Sequence, residues 1–467
     1  MRGIAGEALN EEIVEKIAIS YGLWLEDSRK EVIIGRDTRP SGKWIKEAVI
    51  SGLIKTGCKI IDTDICPTPT VIYEKNKENI RGGIIISGSH NPPEWNALKL
   101  ISYTTFLNQL ELNQICSILK SIELNEFNKK IKKNKRKITK ISPINGYIKA
   151  IYNNVDYQSI KKSNNLKVIV DTGAGAGRLV TPKLLKGLGC KVITINNDFD
   201  KHGNFPRNIE PIEKNLEDLI MKVWNEKADI GFAHDCDADR LSIVGDDFKC
   251  YAEDLGLALI TDYFLRDYSG KNKTPIFITN VASSLRFDAL ARKYNVKVIR
   301  TPIGECYLAQ RIQNMLDNRK NVDEEIVFGG EGSCGGVMVP SFNNARDGIF
   351  AAAKIIEILL KTGEKISKLV SKIPTYYNYR KKINIQGRDV ELLINNIKDE
   401  LISEGEKVSQ IHNDLRFGEG IEWFVLIHPS NTEPVLRIIS EAKRPSLARI
   451  YGQTAEELVN ITLKKFK

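Results

Sequence analysis

The sequence predicts an α/β protein of several domains, of which three follow one plan and the last follows another. Short runs of β-branched apolar residues, such as those at 32–34 and 168–170, alternate with helical patterns along most of the chain. This alternation is typical of largely parallel sheets that helices cover on both faces. A chain of 467 residues is also too long for one hydrophobic core. We therefore expect three related α/β domains with mixed, largely parallel sheets and a smaller α+β domain at the C-terminal end.

The first two regions repeat one order of elements. In the first region, apolar runs predict strands at 31–35, 59–62 and 83–86, and an amphipathic pattern predicts a helix at 41–55. In the second region, the corresponding strands are expected at 167–171, 191–193 and 228–233, with a helix at 178–188. A glycine-rich turn follows the strand at 167–171, as is common between a strand and a helix.

The third region repeats the plan and the final region departs from it. The third has expected strands at 275–279 and 297–299 and a helix at 284–294. In the final region a helix at 389–403 precedes strands at 420–427 and 436–440 and a closing helix, which is an α+β order. Breaks are expected near 144–149, 248–253 and 371–375. The predicted domains are therefore 1–145, 146–250, 251–371 and 372–467.

The charge balance is basic. The chain carries 69 Lys and Arg against 59 Asp and Glu, and much of the excess lies at 129–140. Such a run is typical either of a nucleic-acid or membrane surface, or of a solvated helix face or linker. No aromatic residue is interleaved with the charge, which favours the second interpretation. We expect no nucleic-acid partner, and the positive charge can attract an anionic small molecule.

Targeting signals and cysteines indicate the compartment. The sequence begins without the basic and apolar segments of a secretory signal, and no apolar run is long enough to cross a bilayer. Its eight cysteines are scattered and form no Cys-x-x-Cys pair. Such thiols are usually reduced and buried. We expect a cytoplasmic protein with no membrane partner.

Two short segments carry most of the chemical information. The first, Gly-Ser-His-Asn-Pro at 88–92, follows the apolar run at 83–86, and the second, Asp-Cys-Asp-Ala-Asp-Arg at 235–240, follows the run at 229–233. Loops that follow strands are where α/β proteins place their chemistry. Asp235, Asp237 and Asp239 alternate along the second segment, so their carboxylates can converge on one hard cation such as Mg²⁺. A hydroxyl, a metal site and an arginine together indicate phosphoryl transfer through a serine.

These two segments resemble the phosphoserine loop and the magnesium loop of the α-D-phosphohexomutase family. Two further segments follow in the family's order: Gly-Glu-Gly-Ser at 330–333 resembles its sugar-recognition loop, and Pro-Ser-Asn-Thr-Glu-Pro at 429–434 resembles its phosphate-binding loop. The resemblance runs from 2 to about 442, and four ordered motifs are far more specific than one. It implies four domains around a central cleft, with three related α/β units and a smaller fourth.

The resemblance implies roles for individual residues. Ser89 would carry the phosphoryl group and, with Asp235, Asp237 and Asp239, hold Mg²⁺. The residues implied for catalysis are Ser89, His90, Lys99 and Arg2; His90 is either the local base or only a residue that holds the loop. A lysine beside a dianion keeps its proton, so Lys99 is easier to explain as an acid than as a base. Those implied for substrate binding are Arg240, Thr301, Gly304, Glu331, Ser333, Ser430, Asn431, Thr432 and Arg437.

The sequence also departs from the family pattern. Ala97 replaces the usual glycine after Asn96, Cys334 is an apparent insertion, and Gly336 stands where several branches have histidine. His428 stands where the family usually has an arginine. Because histidine is only partly charged at neutral pH, we expect weaker or more pH-dependent phosphate binding.

The activity implied is that of a phosphohexose mutase, which interconverts hexose 6-phosphate and hexose 1-phosphate through a phosphoserine and a bisphosphorylated sugar. Glucosamine phosphate is the first expectation for the substrate, with mannose and glucose phosphates as alternatives. The implied cofactors are Mg²⁺ and a hexose bisphosphate activator, and the chain is expected to be a monomer or a homodimer. More remote is an impaired relative that binds sugar phosphate without turnover.

Two rival interpretations start from the same aspartates. An EF-hand would need glycine at Arg240 and glutamate at Asp246, so it fails. The segment 230–237 also resembles the opening of haloacid-dehalogenase-type phosphatases, in which Asp235 would be the nucleophile and Asp246 and Asp247 the second acidic pair. Those enzymes usually have threonine or valine where Asp239 lies and have no use for a serine loop, which disfavours this alternative.

Overall fold

The computed structural model of the chain describes residues 1–25, 30–122, 138–268, 274–318, 325–332, 335–385, 387–430 and 433–465. Within these residues the strands form four sheets, each taken from a successive part of the chain. The first three sheets mix parallel and antiparallel pairs, and the pairs of the fourth are antiparallel. The fold class expected from the sequence is confirmed, while the domain boundaries stay a prediction.

The first sheet has the order β1-β5-β4-β2-β3-β6. Its strands are β1 (Arg2–Ile4), β2 (Glu31–Arg36), β3 (Lys59–Ile65), β4 (Gly82–Ile86), β5 (Trp95–Ile101) and β6 (Ile138–Lys140). Its helices are α1 (Glu11–Trp24), α2 (Gly42–Lys55), α3 (Thr68–Lys77) and α4 (Gln109–Ser121). Along β2, Val32 and Ile34 pack with α1 and α2, whereas Ile33 packs with α3. Both faces of this strand are therefore buried, which explains its unbroken apolar run.

The second sheet has the order β10-β9-β7-β8, in which only β10 is antiparallel to its neighbour. Its strands are β7 (Lys167–Asp171), β8 (Lys191–Ile195), β9 (Ile230–Ala233) and β10 (Ser242–Val244). Its helices are α5 (Ile144–Asn153), α6 (Tyr157–Ser163), α7 (Thr181–Gly187) and α8 (Glu217–Glu226), with 3₁₀ turns at Ala176–Leu179 and Glu213–Asn215. The helix expected at 178–188 is thus a 3₁₀ turn followed by α7, whose first turn holds Pro182.

The third sheet has the order β12-β11-β13-β14-β15. Its strands are β11 (Thr274–Asn280), β12 (Lys297–Thr301), β13 (Glu325–Gly330), β14 (Val337–Val339) and β15 (Asn343–Asp347). Its helices are α9 (Glu253–Tyr268), α10 (Arg286–Tyr294), α11 (Glu305–Asp317), α12 (Gly348–Thr362) and α13 (Ile366–Val370). Helix α12 is buried from Gly348 to Leu359, and one apolar core joins it to the helices of the second sheet. The second and third regions are therefore packed firmly together.

The fourth sheet has the order β16-β20-β19-β18-β17. Its strands are β16 (Tyr377–Asn384), β17 (Ser409–Ile411), β18 (Asp414–Glu419), β19 (Trp423–Pro429) and β20 (Val435–Ala442). Helices α14 (Val390–Ser403) and α15 (Pro445–Lys465) supply the rest of its core. Among the helices of the described residues, none combines the length and apolar character that a membrane span requires.

The first three sheets share one feature that positions the site. In each, a parallel strand (β4, β9 or β13) is followed by a loop and then by an antiparallel return strand (β5, β10 or β14). The motif loops at 87–94 and 234–241 occupy two of these equivalent turns, and the described residues 331–332 and 335–336 lie in the third. The basic run expected at 129–140 lies outside the described residues up to 137, and its last three residues form β6.

Candidate active site

The three turns and the fourth sheet surround one cavity of about 550 Å³. The residues of its wall that the sequence singled out are Arg2, Ser89, His90, Lys99, Arg240, Gly304, Glu331 and Arg437. The structure therefore brings together residues that are far apart in the chain. Ser333, Asn431 and Thr432, also expected here, lie outside the described residues.

Ser89 sits in a constrained turn after β4. Its backbone has a φ of 51°, in the left-handed region that residues with side chains rarely adopt. The Ser89 N–H donates to Ser87 Oγ at 2.9 Å, and Ser89 Oγ donates to Asp235 Oδ2 at 2.7 Å. Strain of this kind tends to occur at functional positions. The loop thus holds the serine hydroxyl against the metal loop.

A buried arginine that the sequence analysis missed holds this turn. The Arg39 guanidinium is fully buried, pairs with Asp37 at 3.1 Å, and donates to the carbonyls of Ser89 at 2.8 Å, Asn91 at 2.6 Å and Pro92 at 2.6 Å. Arg39 lies three residues beyond β2, at the same edge of the sheet as Ser89. Its position shortly after a predicted strand is the feature of the sequence from which Arg39 could have been identified.

The three aspartates after β9 form a compact oxygen cluster. One carboxylate oxygen of each lies within 4.8 Å of the others, and all three residues are buried. Within the described part of the chain, no donor reaches the buried Oδ1 atoms of Asp237 and Asp239. Unpartnered buried oxygens are costly unless a cation binds them. The residues therefore fit a hard divalent cation with few protein ligands.

Neighbouring charges set the protonation of this cluster. Burial and the nearby Asp239 and Asp237 raise the pKa of Asp235 well above its ordinary value. Burial also acts to raise the pKa of Asp239, but Arg346, Lys99 and Arg240 outweigh it and hold that pKa below the ordinary range. An uneven distribution of protons over paired carboxylates is common in functional sites.

Lys99 lies between two of the aspartates. Its Nζ donates to Asp237 Oδ2 at 2.7 Å and to Asp239 Oδ2 at 3.1 Å. Burial acts to lower the pKa of Lys99, but these two carboxylates raise it above the ordinary value. Lys99 is therefore a firmly charged cation in this arrangement, which suits an acid or an electrostatic contact rather than a base.

Thr68, at the start of α3, is a second residue that the sequence analysis missed. Its hydroxyl donates to Asp237 Oδ2 at 2.5 Å, and its backbone N–H donates to the Asp237 carbonyl at 3.1 Å. A helix from the first region thus fixes the central residue of the metal loop. No local pattern marks this contact.

His90 is held by Arg240. Arg240 Nη2 donates to His90 Nδ1 at 2.9 Å, while Ser89 Oγ lies 3.5 Å from the same nitrogen, which is too long for a good hydrogen bond. Burial, Arg240 and Arg2 lower the pKa of His90 to about 3. A neutral imidazole that accepts from an arginine is a weak base, so the geometry favours the loop-holding alternative.

Glu331 is fixed from two sides. Its Oε1 accepts from Asn280 Nδ2 at 3.0 Å and from the Gly304 N–H at 3.1 Å, and its Oε2 accepts from Arg346 Nη1 at 2.6 Å. Arg346, at the end of β15, is a third missed residue of the cavity wall. Thr301 is not part of that wall: it is buried and its hydroxyl donates to the Pro302 carbonyl at 3.0 Å.

The phosphate loop joins β19 to β20. Arg437 Nη2 donates to Glu433 Oε2 at 2.8 Å and to Ser430 Oγ at 3.3 Å, and Arg437 reaches the cavity. His428 Nδ1 lies 2.5 Å from Asp414 Oδ1. The loop therefore offers a cation and a hydroxyl to an anionic group.

The phosphatase alternative lacks its second acidic pair. Asp246 accepts from the N–H and hydroxyl of Ser367 at 2.9 and 3.1 Å, and Asp247 accepts from the Tyr251 hydroxyl at 2.8 Å. Within the described residues, neither carboxylate forms a hydrogen bond or an ion pair with Ser89 or with the three aspartates. The geometry gives this alternative no support.

Fold and site together define a phosphoryl-transfer enzyme of the multidomain α/β class. Three models of the phosphoglucomutase/phosphomannomutase family, for its α/β/α domains I, II and III, match residues 1–126, 145–247 and 253–377. A curated protein of Thermococcus kodakarensis named phosphoglucomutase/phosphomannomutase is 37% identical over 99% of this chain and 98% of its own length. The chain belongs to this family, so the resemblance seen in the motifs is confirmed.

Other similar proteins carry related names. A protein of Pyrococcus abyssi named probable phosphoglucosamine mutase is 34% identical over 100% of this chain and 97% of its own length. A solved structure of a phosphoglucomutase/phosphomannomutase family protein from Burkholderia thailandensis has a TM-score of 0.82 at 22% identity, and covers 99% of this chain and 96% of that one. This structure supports the fold assignment.

Proposed function

We propose that this chain is a phosphohexose mutase that moves a phosphoryl group between O6 and O1 of a hexose through Ser89, with glucosamine phosphate as its preferred substrate. Mannose and glucose phosphates are the alternatives. The observation that carries the proposal is the 2.7 Å hydrogen bond from Ser89 Oγ to Asp235, in a cavity that Glu331 and Arg437 also line.

This arrangement supplies the three functions that a mutase needs. Ser89 can carry the transferred phosphoryl group, Glu331 can accept hydrogen bonds from sugar hydroxyls, and Arg437 can bind the phosphate that is not being transferred. A phosphatase needs no second phosphate site of this kind. The arrangement therefore favours transfer within one sugar over hydrolysis.

The triad and Ser89 are the residues that would hold Mg²⁺. Their donor set is made of oxygen atoms, as Mg²⁺ prefers, and the unpartnered Oδ1 atoms of Asp237 and Asp239 fit such an ion. When bound, the ion would supply charge stabilisation for the transferred phosphoryl oxygens.

The reaction steps follow from the residues around Ser89. In the first transfer the bond from phosphorus to Ser89 Oγ breaks and a bond from phosphorus to the sugar hydroxyl oxygen forms. Ser89 Oγ keeps the electron pair of the broken bond and ends with the proton that the sugar hydroxyl loses. The bisphosphorylated sugar then reorients and returns its other phosphate to Ser89. Lys99 and Arg240 can stabilise the charge on the phosphoryl oxygens, and neutral His90 keeps Arg240 directed at the loop.

Curated names of relatives are consistent with the preferred substrate and with its alternatives. The relative from Pyrococcus abyssi is named for glucosamine phosphate and the one from Thermococcus kodakarensis for glucose and mannose phosphates. Both cover nearly the whole chain. The preference for glucosamine phosphate, the bisphosphate activator, the oligomeric state and the cytoplasmic location remain parts of the proposal.

A coupled assay tests it directly. The 6-phosphates of glucosamine, mannose and glucose are compared with Mg²⁺ and a trace of hexose bisphosphate, and Ser89→Ala serves as the control. We expect turnover of glucosamine 6-phosphate well above the other two. Faster turnover of mannose or glucose phosphate would contradict the substrate preference, and turnover by Ser89→Ala would contradict the phosphoserine.

The intact-protein mass separates a mutase from an impaired relative. A working mutase should retain one phosphoryl group, and this group should be absent from Ser89→Ala. A phosphorylated protein that turns over none of the three sugars would contradict the substrates named here. An unphosphorylated protein that binds sugar phosphate without turnover would contradict the mutase proposal.

A further inference from the structure

Arg346 joins two turns and the start of a helix through one guanidinium group. Its Nη1 donates to Glu331 Oε2 at 2.6 Å, and its Nη2 lies 2.8 Å from Asp239 Oδ2 and 3.2 Å from Glu305 Oε2. Its backbone N–H donates to Glu305 Oε1 at 2.9 Å. These carboxylates belong to the turn after β13, the turn after β9 and the start of α11. One cation thus contacts a residue of the metal loop and a residue of the sugar loop at the same time.

The backbone around Arg346 is pressed against the metal loop. A Cβ at Gly336 would lie 2.2 Å from the Asp239 carbonyl oxygen, and a Cβ at Gly348 would lie 2.3 Å from that of Arg240. Neither position has room for a side chain unless the backbone shifts. This close approach also explains why glycine stands at 336. Arg346 is therefore carried by a segment whose distance from Asp239 is fixed.

The segment is rigid on its other side as well. Asp347 caps α12 by accepting from the Phe350 N–H at 2.8 Å, and the first three turns of that helix are buried. The Arg346 side chain itself is 9% exposed. An arginine placed in this way cannot move far when the charge near one of its partners changes. Its response is a change in how strongly it interacts with each of its three carboxylate partners.

We propose that Arg346 is a positioning residue that couples cation binding at Asp239 to sugar-phosphate binding at Glu331. A divalent cation at the triad interacts with the Asp239 carboxylate and so weakens the ion pair between Asp239 and Arg346. Arg346 then interacts more strongly with Glu331 and Glu305, which fixes the position of Glu331 in the cavity wall. Coupling of this kind is reciprocal, so sugar phosphate must tighten cation binding by the same factor. The coupling rests on the proposed function, because it takes a sugar phosphate as the ligand at Glu331.

Calorimetric titration of the full chain with Mn²⁺ tests the coupling. The dissociation constant of Mn²⁺ is measured with and without saturating glucosamine 6-phosphate, in the unmodified protein, in Arg346→Lys and in Arg346→Gln. We expect the sugar phosphate to tighten Mn²⁺ binding about tenfold in the unmodified protein, within the usual range of coupling factors. In Arg346→Gln the sugar phosphate should tighten Mn²⁺ binding by less than about twofold. Arg346→Lys keeps the charge but not the fork of donors, so its coupling factor should lie between those of Arg346→Gln and the unmodified protein.

Arg286→Gln is the matched control. Arg286 is also buried and pairs with one carboxylate, Asp254, at 2.8 Å, but it does not line the cavity. Its variant should keep the full coupling factor. Unchanged coupling in Arg346→Gln would overturn the inference, and so would an equal loss in Arg286→Gln, which would show a general effect of removing a buried cation.

The test also separates this inference from the proposed function. If no sugar phosphate binds the unmodified protein, the proposed function fails, but the titration without sugar still reports on Arg346. Its replacement by glutamine should then lower the Mn²⁺ dissociation constant at least about threefold, because it removes a cation that competes with Mn²⁺ for Asp239. The same constant in both proteins would overturn the link between Arg346 and the metal loop.

Discussion

The metal loop at 235–240 and the phosphate site, which is formed by the loop at 429–434 and the nearby Arg437, are held in place in different ways. The three aspartates of the metal loop are at most 1% exposed, and their partners Ser89, Thr68, Lys99 and Arg346 come from other regions of the chain. At the phosphate site, the Arg437 side chain is 40% exposed, and its partners Glu433 and Ser430 belong to the adjoining loop. The metal loop is thus fixed by several regions of the chain, whereas the described part of the phosphate loop is held by side chains of its own sheet, Arg437 of β20 and Lys382 of β16.

This difference indicates that the two loops have different roles in the proposed reaction. Groups that act on the transferred phosphoryl need to be preorganised, because reorganisation during the reaction raises the barrier. A group that only binds the other phosphate must release and rebind the sugar when it reorients. Changes in the metal loop should therefore lower the rate, and changes in the phosphate loop should mainly raise KM.

The largest effect is expected from Ser89→Ala. The proposed covalent step passes through this hydroxyl, so kcat should fall by at least about a thousandfold. The fold should survive, because the change removes one hydrogen bond and leaves Asp235 able to take up a proton. Steady-state kinetics and urea unfolding measure the two quantities. More than about a tenth of the normal rate in a protein shown by mass to carry the substitution would rule out the phosphoserine.

A smaller loss is expected from Thr68→Val, which removes the hydroxyl that binds Asp237 but keeps the shape of the side chain. Residues that orient a metal ligand typically contribute 10- to 100-fold in metal affinity or activity. Thr70→Val is the matched control, because Thr70 is equally buried on the same helix and no described residue forms a hydrogen bond with its hydroxyl. Mn²⁺ titration should show weaker binding only for Thr68→Val. Equal Mn²⁺ affinities in the two variants would show that the threonine does not support the metal loop.

The sequence predicted the parts of this site that depend on local order. Ser89 and the three aspartates directly follow apolar runs that became β4 and β9, so their positions at strand ends could be inferred. Thr68 and Arg346 could not be found in this way. Their contacts with Asp237 and Asp239 span 169 and 107 residues, and no local pattern records which strand ends meet in space.

The fold shows the same limit. The apolar runs predicted most strands of the parallel parts, but the return strands β10 and β14 are only three residues long and take their place from their neighbours. The antiparallel return strands depend on pairing across the sheet rather than on their own sequence. They nevertheless shape the three turns around the cavity.

In the phosphate loop, Arg437→Gln should raise KM about tenfold and leave kcat nearly unchanged, since a charge-assisted hydrogen bond to phosphate contributes on the order of 1.5 kcal/mol. The effect should shrink at high salt, because exposed charges are screened. Lys382→Gln is the control: Lys382 also binds Glu433 at 3.0 Å and faces Arg437 across the sheet, but it does not line the cavity. Equal effects of the two substitutions would mean that Arg437 acts only through general charge.

The smallest effect is expected from His428→Arg, at a position that pairs with Arg437 across β19 and β20. Guanidinium is always charged and presents a fork of donors to phosphate, which imidazole does not. The substitution should therefore lower KM by about two- to threefold at neutral pH and leave kcat nearly unchanged. Steady-state kinetics measures both constants. A replacement of the exposed His202 by arginine should leave KM unchanged. If the KM values of the His428→Arg and unmodified proteins coincide, the charge at this position does not contribute to phosphate binding.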